Sequence, residues 1–158
     1  MKIKIYCIGK IKEQYLKDGI NEYIKRISAY SNIEIIEVAD SKVKDNPNQF
    51  DIEKAKTEEG ERVLKMIRSD LLIGLDMNKP EYTSEEFASF LDKKIVEGGS
   101  NISFVIGGSY GLSDDLKKRC NYSISLSKLT FLHQMTRLIL LEQIYRAFKI
   151  LNNETYHK

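Results

Sequence analysis

Residues 102–115 read ISFVIGGSYGLSDD, a β-branched and apolar run that leads directly into a glycine-rich turn. The turn holds Gly107, Gly108 and Gly111, and an acidic helix start follows it. Glycine lets the backbone approach a neighbour closely and adopt dihedral angles that other residues avoid. Ligands of open parallel sheets bind in the crevice beyond the carboxyl ends of the strands. The stretch therefore predicts a strand that ends at a ligand site, or in a tight turn that holds no ligand.

Short apolar runs alternate with longer amphipathic stretches on either side of this turn. The pattern predicts strands at 3–9, 33–39, 71–76, 102–106 and 122–127, and helices at 13–28, 51–68, from a Thr83–Glu86 capping box to Gly98–Gly99, near 114–120 and near 133–151. The polar segment 40–50 is predicted to be a loop. Strands that alternate with helices of this length indicate an α/β fold, a mainly parallel sheet flanked by helices. No repeat or linker interrupts the pattern, so residues 1–158 are predicted to form one domain.

Composition excludes several classes of protein. With 158 residues, of which 42% are apolar and 30% charged, the chain can bury a core without disulfides or metal. No run approaches the roughly 18 apolar residues of a membrane span. The start MKIKIYCIGK alternates Lys with Ile as a strand does, so we expect no export signal and a cytoplasmic protein. Cys7 and Cys120 lie in no CxxC pattern and are predicted to be core residues.

Positive charge is concentrated towards the carboxyl terminus. Residues 111–158 carry eight Lys or Arg and four Asp or Glu, while the rest of the chain is slightly acidic. A basic third of a chain suits a polyanionic partner such as RNA. The alternative is a scattered, solvated surface charge.

The final predicted helix, HQMTRLILLEQIYRAFKIL, is apolar around most of its circumference. Its polar residues form only a narrow stripe around Glu142, Arg146 and Lys149. A helix of this kind is usually buried on two sides. In so small a domain a second subunit is the simplest cover, so we expect a homodimer. The residues expected to lie partly between subunits are Leu138, Leu141, Tyr145 and Phe148.

Common nucleotide and catalytic motifs fit the glycine turn poorly. The turn GGSYG is neither GxGxxG nor a P-loop, and the chain has no GxSxG nucleophile elbow. Two distant histidines are too few for a zinc site, so no metal is expected. Methyl transfer from an activated sulfonium suits such a site, because catalysis is then largely positioning. A non-catalytic RNA-binding or ribosome-associated factor, and a nucleotide-binding module for a small molecule, are the alternatives.

Three ordered stretches, FVIGGSYGL, SLSKLTFLHQMTRLILLEQIYRAFKI and the terminal YHK, resemble the RlmH family of the SPOUT superfamily. IGK, EYIKR, EGERVL and LLIGLD are also similar to that family, so the resemblance covers the whole chain. It implies an S-adenosylmethionine-dependent enzyme that methylates N3 of a pseudouridine in helix 69 of 23S rRNA, within the large subunit or the assembled ribosome. It also implies a trefoil knot that forms the cofactor site within about residues 70–158.

The resemblance implies a set of cofactor contacts at three strand ends. These are Leu75, Gly108, Ser127, Lys128, Leu129, Thr130, Phe131 and Leu132. Leu132 stands where many relatives have proline, which puts the rigidity of this loop in question.

Candidate catalytic residues follow from the weakly acidic N3 proton, which must leave for methylation to occur. Histidine is the natural base near neutral pH, which points to His133 or His157. A terminal YHK ordinarily frays, but the resemblance implies that this tail folds against the cofactor site, with Tyr156 stacked on the target base. The residues expected to contact RNA are Arg137, Arg146 and Lys158. A salt bridge is the alternative role for each arginine.

Overall fold

The computed structural model describes residues 1–68, 70–99 and 101–158, in which strands and helices alternate. The strands are β1 (Lys2–Ile8), β2 (Asn32–Val38), β3 (Leu71–Leu75), β4 (Asn101–Ile106) and β5 (Tyr122–Ile124). The helices are α1 (Gln14–Ile27), α2 (Gln49–Met66), α3 (Ser84–Glu97), α4 (Asp114–Arg119) and α5 (His133–Leu151). The predicted order of elements is confirmed. None of these helices is both long and apolar enough to cross a membrane.

Three predicted boundaries are wrong by two residues or more. Helix α2 ends at Met66 and not at residue 68. Helix α2 begins at Gln49, inside the predicted loop, because Asn48 and Asp51 form a reciprocal capping box. The Asn48 side chain accepts from the Asp51 amide at 2.8 Å, and the Asp51 carboxylate accepts from the Asn48 amide at 3.1 Å. Strand β5 stops at Ile124, three residues early, because only Ile73–Leu75 of β3 pair with it.

All the strands lie in one parallel sheet with the order β2-β1-β4-β3-β5. Parallel pairing brings the carboxyl ends of the strands to one edge, which we call the carboxyl edge. The predicted parallel α/β architecture is confirmed. At the centre of the sheet β1 pairs with β4, so that Lys2 lies opposite Asn101.

Helices cover both faces of the sheet. Helix α5 packs against α1 and α3 on one face, and α2 packs against α4 on the other. Side chains of each strand alternate between the two cores, so Ile5 and Phe104 point to the first face while Tyr6 and Val105 point to the second.

The apolar circumference of α5 is explained within the chain. Leu141 and Phe148 are buried in the core between α5, α1, α3 and the sheet, and Leu138 and Tyr145 pack against the same core. The expectation that these residues lie partly between subunits is therefore wrong for the two buried ones. Helix α5 is buried on more than one side, as expected, but helices α1 and α3 of the same chain cover it together with the sheet.

The glycine turn after β4 is tight for reasons internal to the protein. A β-carbon on Gly107 would lie 2.5 Å from the carbonyl carbon of Gly111, and Gly111 itself has a φ of +87°. A β-carbon on Gly108 would lie 3.1 Å from the Ile8 side chain and 3.5 Å from a Glu59 carboxylate oxygen. Atoms of the protein itself thus leave little or no room for a side chain at Gly107 and Gly108, whether or not a ligand is bound.

Replacement of Gly107 by alanine should lower the free energy of unfolding by about 1–3 kcal/mol, because the new methyl group overpacks the Gly111 backbone. Urea unfolding measures this change. The control is Ser109→Ala, an exposed position in the same turn, which should stay within about 0.5 kcal/mol of wild type. Equal stability of the two variants would contradict the tight turn.

Candidate active site

A depression at the carboxyl edge brings together the ends of β3, β4 and β5. Its larger part, a cavity of about 710 Å³, lies between the glycine turn and the start of α5. A smaller cavity of about 90 Å³ adjoins it and shares Met77, Thr130 and Phe131 with it. We call the two cavities together the crevice.

Seven of the eight predicted cofactor residues line the crevice. They are Leu75, Gly108, Ser127, Leu129, Thr130, Phe131 and Leu132. The exception is Lys128, which is exposed and lines neither cavity. The structure thus gathers residues from three strand ends that are far apart in the sequence.

The segment 125–132 is held in shape by short polar contacts. The Ser125 hydroxyl donates to the Ser127 carbonyl at 2.9 Å, and the Leu129 amide donates to the Ser127 hydroxyl at 3.0 Å. The Ser125 amide donates to the carbonyl of Pro80 at 2.9 Å, which ties this segment to the loop after β3. One wall of the crevice is therefore ordered by the protein itself.

Arg137 lies in the interior, with 1% of its surface exposed. Its guanidinium donates to the Glu37 carboxylate at 2.8 Å and to the carbonyls of Gly9 at 2.8 Å and Ile8 at 3.3 Å. Burial alone would raise the pKa of Glu37, but hydrogen bonds from Arg137 and the Ile11 amide hold that pKa below its usual value. The prediction that Arg137 contacts RNA is contradicted: this residue fixes α5 to the end of β1.

His133, the first residue of α5, lines the crevice. Partial burial lowers its pKa, and the charge of Arg137 lowers it further, while Asp40 acts in the opposite direction. The imidazole is therefore neutral near pH 7 and able to accept a proton. Sequence reasoning placed this side chain beside the cofactor loop, and the structure brings the two together.

The carboxyl-terminal tail folds back onto its own chain. The Tyr156 hydroxyl donates to Glu142 at 3.1 Å and shares a 3.3 Å hydrogen bond with Tyr23. Its ring meets the Tyr145 ring edge-on, with 4.9 Å between centroids. Burial, followed by the hydrogen bond with Tyr23 and the charge of Glu142, raises the pKa of Tyr156. Side-chain contacts thus fix an end that would ordinarily fray, but these contacts are not with the residues of the crevice, against which the resemblance implied that the tail folds.

His157 bridges two elements. Its Nε2 donates to Glu85, at the start of α3, over 2.7 Å, while Arg146 donates to its Nδ1 over 3.2 Å. Arg146 also pairs with Glu142, and its guanidinium lies 4.7 Å from the centroid of the Tyr156 ring. Arg146 is therefore half-buried in a cluster with the tail, whereas Lys158 is exposed.

The tail and the crevice are separate within one chain. His133 opens α5 and Arg146 lies near its far end, and the helical rise places them about 20 Å apart along the axis. The tail contacts Arg146, so one chain does not bring Tyr156 and His157 to His133. The candidate residues form two groups.

Comparison with known proteins identifies the fold family. Residues 1–157 match the family model described as "Predicted SPOUT methyltransferase". This chain belongs to the SPOUT methyltransferase family. Ribosomal RNA large subunit methyltransferase H of Acetivibrio thermocellus is 49% identical over the full length of both chains, and that of Exiguobacterium sp. is 51% identical, also over the full length of both. The resemblance drawn from the sequence motifs is confirmed.

A solved structure of a probable methylase family protein from Haemophilus influenzae shares the fold of this SPOUT methyltransferase. The TM-score is 0.54 at 17% sequence identity, and the match covers 99% of this chain and 70% of the other. The trefoil knot stays a prediction.

S-adenosylmethionine is the cofactor of this SPOUT methyltransferase, and the crevice suits it. Leu75, Met77 and Phe131 offer apolar surface for a flat purine, and the hydroxyls of Ser127 and Thr130 lie beside them for polar groups. The backbone of the glycine turn forms the opposite wall. Within the described ranges, no group of three or more His, Cys, Asp or Glu could hold a metal ion.

Sequence reasoning missed Glu59, a buried acidic residue beside the glycine turn. Glu59 is buried beside Gly108, where burial raises its pKa, and it accepts from the Ser41 amide at 3.0 Å. The available signal was spacing, because Glu59 lies four residues from both Ala55 and Val63 on the buried face of α2. A carboxylate on an apolar helix face indicates a buried polar contact.

Arg137→Met should lower the free energy of unfolding by about 1–3 kcal/mol, because it leaves the carbonyls of Ile8 and Gly9 without their donor, while Glu37 is partly exposed and keeps the Ile11 amide. Urea unfolding gives the value. Lys17→Met, at an exposed position on α1, is the control and should change stability by less than about 0.5 kcal/mol. An Arg137→Met protein of normal stability would show that the internal contacts of this guanidinium contribute little.

The pKa of the His133 imidazole should lie below the ordinary histidine pKa of 6.5, because burial opposes the charged form of the ring. Proton NMR can follow it, because the chain has only two histidines and His133→Gln assigns the resonance. Because the pKa of His133 is lower in the folded protein, the unfolded state binds a proton on this ring at a higher pH. The ring therefore favours folding above the pKa of the unfolded state, and this contribution is lost as the pH falls through the folded pKa. A midpoint at or above the value in urea-unfolded protein would refute the prediction.

Proposed function

We propose that this SPOUT methyltransferase methylates 23S rRNA of the large ribosomal subunit, at N3 of a pseudouridine in helix 69. The proposal rests on one observation: about half of the residues are identical, over the full length, to those of relatives named ribosomal RNA large subunit methyltransferase H. The crevice adds independent support, because it gathers seven of the residues that the family resemblance assigns to the cofactor. The enzyme would then act where ribosomes are, in the cytoplasm.

Bound S-adenosylmethionine supplies an electrophilic methyl group at its sulfonium. The protein must hold the target base against it and accept the N3 proton. His133 is suited to this proton transfer, because it lines the crevice and its lowered pKa keeps the ring neutral. His157 is the second candidate, and Tyr156 beside it offers a ring on which the base can stack.

A homodimer would reconcile the two separated groups of residues. Five of the exposed large apolar side chains surround the crevice and the first turn of α5: Met77, Tyr110, Leu129, Leu132 and Met135. Exposed apolar patches of this kind mark protein interfaces. A second copy seated on this rim would cover it, and could bring its own tail to the crevice of the first chain. In this arrangement each active site contains residues of both protomers.

The activity is tested by mass spectrometry of large-subunit rRNA from cells with and without the protein, and by methyl transfer to ribosomes from the unmodified cells. We expect the helix 69 pseudouridine to lose its methyl group in the deletion strain and regain it in vitro. A protein that binds ribosomes without transferring a methyl group would be a non-catalytic ribosome-associated factor.

Removal of Tyr156–Lys158 should reduce methyl transfer by orders of magnitude while leaving S-adenosylmethionine binding nearly unchanged, because every residue that lines the crevice is still present. Calorimetry and single-turnover rates separate the two effects. Thr130→Arg should abolish S-adenosylmethionine binding and, with it, methyl transfer, because a bulky cation would fill the crevice while the tail stays intact.

Mixing these two inactive variants tests the shared site. If one protomer supplies the crevice and its partner the tail, mixed dimers should regain a substantial part of wild-type activity. Two variants that stay inactive on mixing, or a protein that sediments as a monomer, would contradict the composite site. A truncated enzyme with normal rates would assign the proton transfer to His133.

A further inference from the structure

Two neighbouring loops at the carboxyl edge carry a group of exposed lysines. Lys10 and Lys12 follow β1, Lys42 and Lys44 follow β2, and Lys54 lies on α2 beside the second loop. We call these five residues the lysine strip. Only Lys44 has a carboxylate within 4 Å in the described part of the chain, namely Asp51 at 3.2 Å.

Other basic groups near the sheet are neutralised by partners. Lys2 pairs with Glu34 at 2.7 Å and Lys4 with Asp70 at 3.3 Å. Arg137 is the extreme case, since it is buried against Glu37. Lys10, Lys12 and Lys42 in the two loops, and Lys54 on α2 beside them, have no such partner in the described part of the chain and therefore present available positive charge.

Hydrogen bonds connect the lysine strip to the crevice. The Gly9 amide donates to the carbonyl of Val38 at 2.8 Å, which ties the two loops together. The carbonyl of Lys10 accepts from the Gln134 side chain at 3.0 Å, next to His133. The strip thus begins at the rim of the crevice and leads away from it over two adjacent strand ends.

The far end of the strip is a shallow depression of about 230 Å³. Lys42, Lys44 and Lys54 line it together with Asp51 and Glu58. Glu58 accepts from the Ser41 hydroxyl at 2.9 Å and lies 3.9 Å from Arg62. The carboxylates of the depression are thereby engaged by donors of the protein.

Nearby acids limit the total charge of this surface. Asp40 and Asp45 lie in the same loop as Lys42 and Lys44, and Glu13 follows Lys12. A single small anion would gain little here. A polymer of phosphates gains from several lysines at once, because each neutralised phosphate releases counterions.

We propose that the lysine strip binds the phosphate backbone of the substrate RNA beside the nucleotide that enters the crevice. This inference rests on the proposed function, since it assigns a contact surface to the same substrate. It names as RNA contacts five residues of the amino-terminal half, although the sequence concentrates net positive charge in the carboxyl-terminal third.

The test compares two triple variants with the same change in charge. The strip variant is Lys10→Ala, Lys12→Ala and Lys42→Ala. The matched control is Lys25→Ala, Lys65→Ala and Lys93→Ala, three exposed lysines towards the carboxyl ends of α1, α2 and α3, at the opposite edge of the sheet. Thermal unfolding and S-adenosylmethionine calorimetry establish that both variants are folded and bind the cofactor.

Ribosome affinity is then measured across a salt titration, in parallel with methyl transfer. The strip variant should bind at least about tenfold more weakly, and the slope of log affinity against log salt should fall by about 2, as expected for three lost phosphate contacts. Its rate at saturating ribosomes should match wild type. The control should retain the wild-type slope.

Three results would overturn the inference. Equal losses of ribosome affinity in the two triple variants would show a general effect of net charge. Calorimetric binding of inorganic phosphate that only the strip variant loses would show a small-anion site. A wild-type protein that binds S-adenosylmethionine but transfers no methyl group to ribosomes would overturn both the proposed function and the RNA-binding role of the lysine strip. Normal methyl transfer by wild type, together with a strip variant of normal ribosome affinity, would overturn only the role of the strip.

Discussion

The buried guanidinium of Arg137 is the contact on which the geometry of the site depends. It joins α5 to the Glu37 carboxylate and to the carbonyls that end β1. A buried charge is costly unless it is paired. The two terminal nitrogens of Arg137 have partners, whereas its buried Nε has none among the described residues, so the partners that are present set the position of the helix. His133 stands one turn earlier on α5, and the cofactor segment 125–132 leads into it. Loss of this contact would therefore disturb the crevice from two directions.

The order of elements was predictable because it depends on local periodicity. The alternation in β1 and the Thr83–Glu86 capping box of α3 are properties of a few adjacent residues, and the structure confirms both. The environment of α5 was not predictable in this way. An apolar circumference reports burial, but it does not say whether a helix of the same chain or a second subunit provides the cover. Arg137 was misjudged for the same reason, since Glu37 is distant in the sequence.

The candidate site was predictable as a set of residues and not as an arrangement. Motif resemblance named both the strand-end segments and the terminal YHK. Which of them meet within a chain depends on contacts such as that of Tyr156 with Tyr23, at opposite ends of the sequence. The glycine turn shows the same limit. Its composition predicted a close approach, whereas the atoms approached, those of Gly111 and Ile8, became known only from the fold.

The pairing of β1 with β4 has a consequence for how the chain is made. Lys2 lies opposite Asn101, so the centre of the sheet cannot close until about 100 residues after β1 begins have been synthesised. Helix α5, which completes the larger core, emerges last. Such distant contacts make folding slow and leave early strands exposed in the nascent chain. An enzyme proposed to modify ribosomes would thus acquire its cofactor site only after residues 125–136, which include much of the crevice lining, have been synthesised.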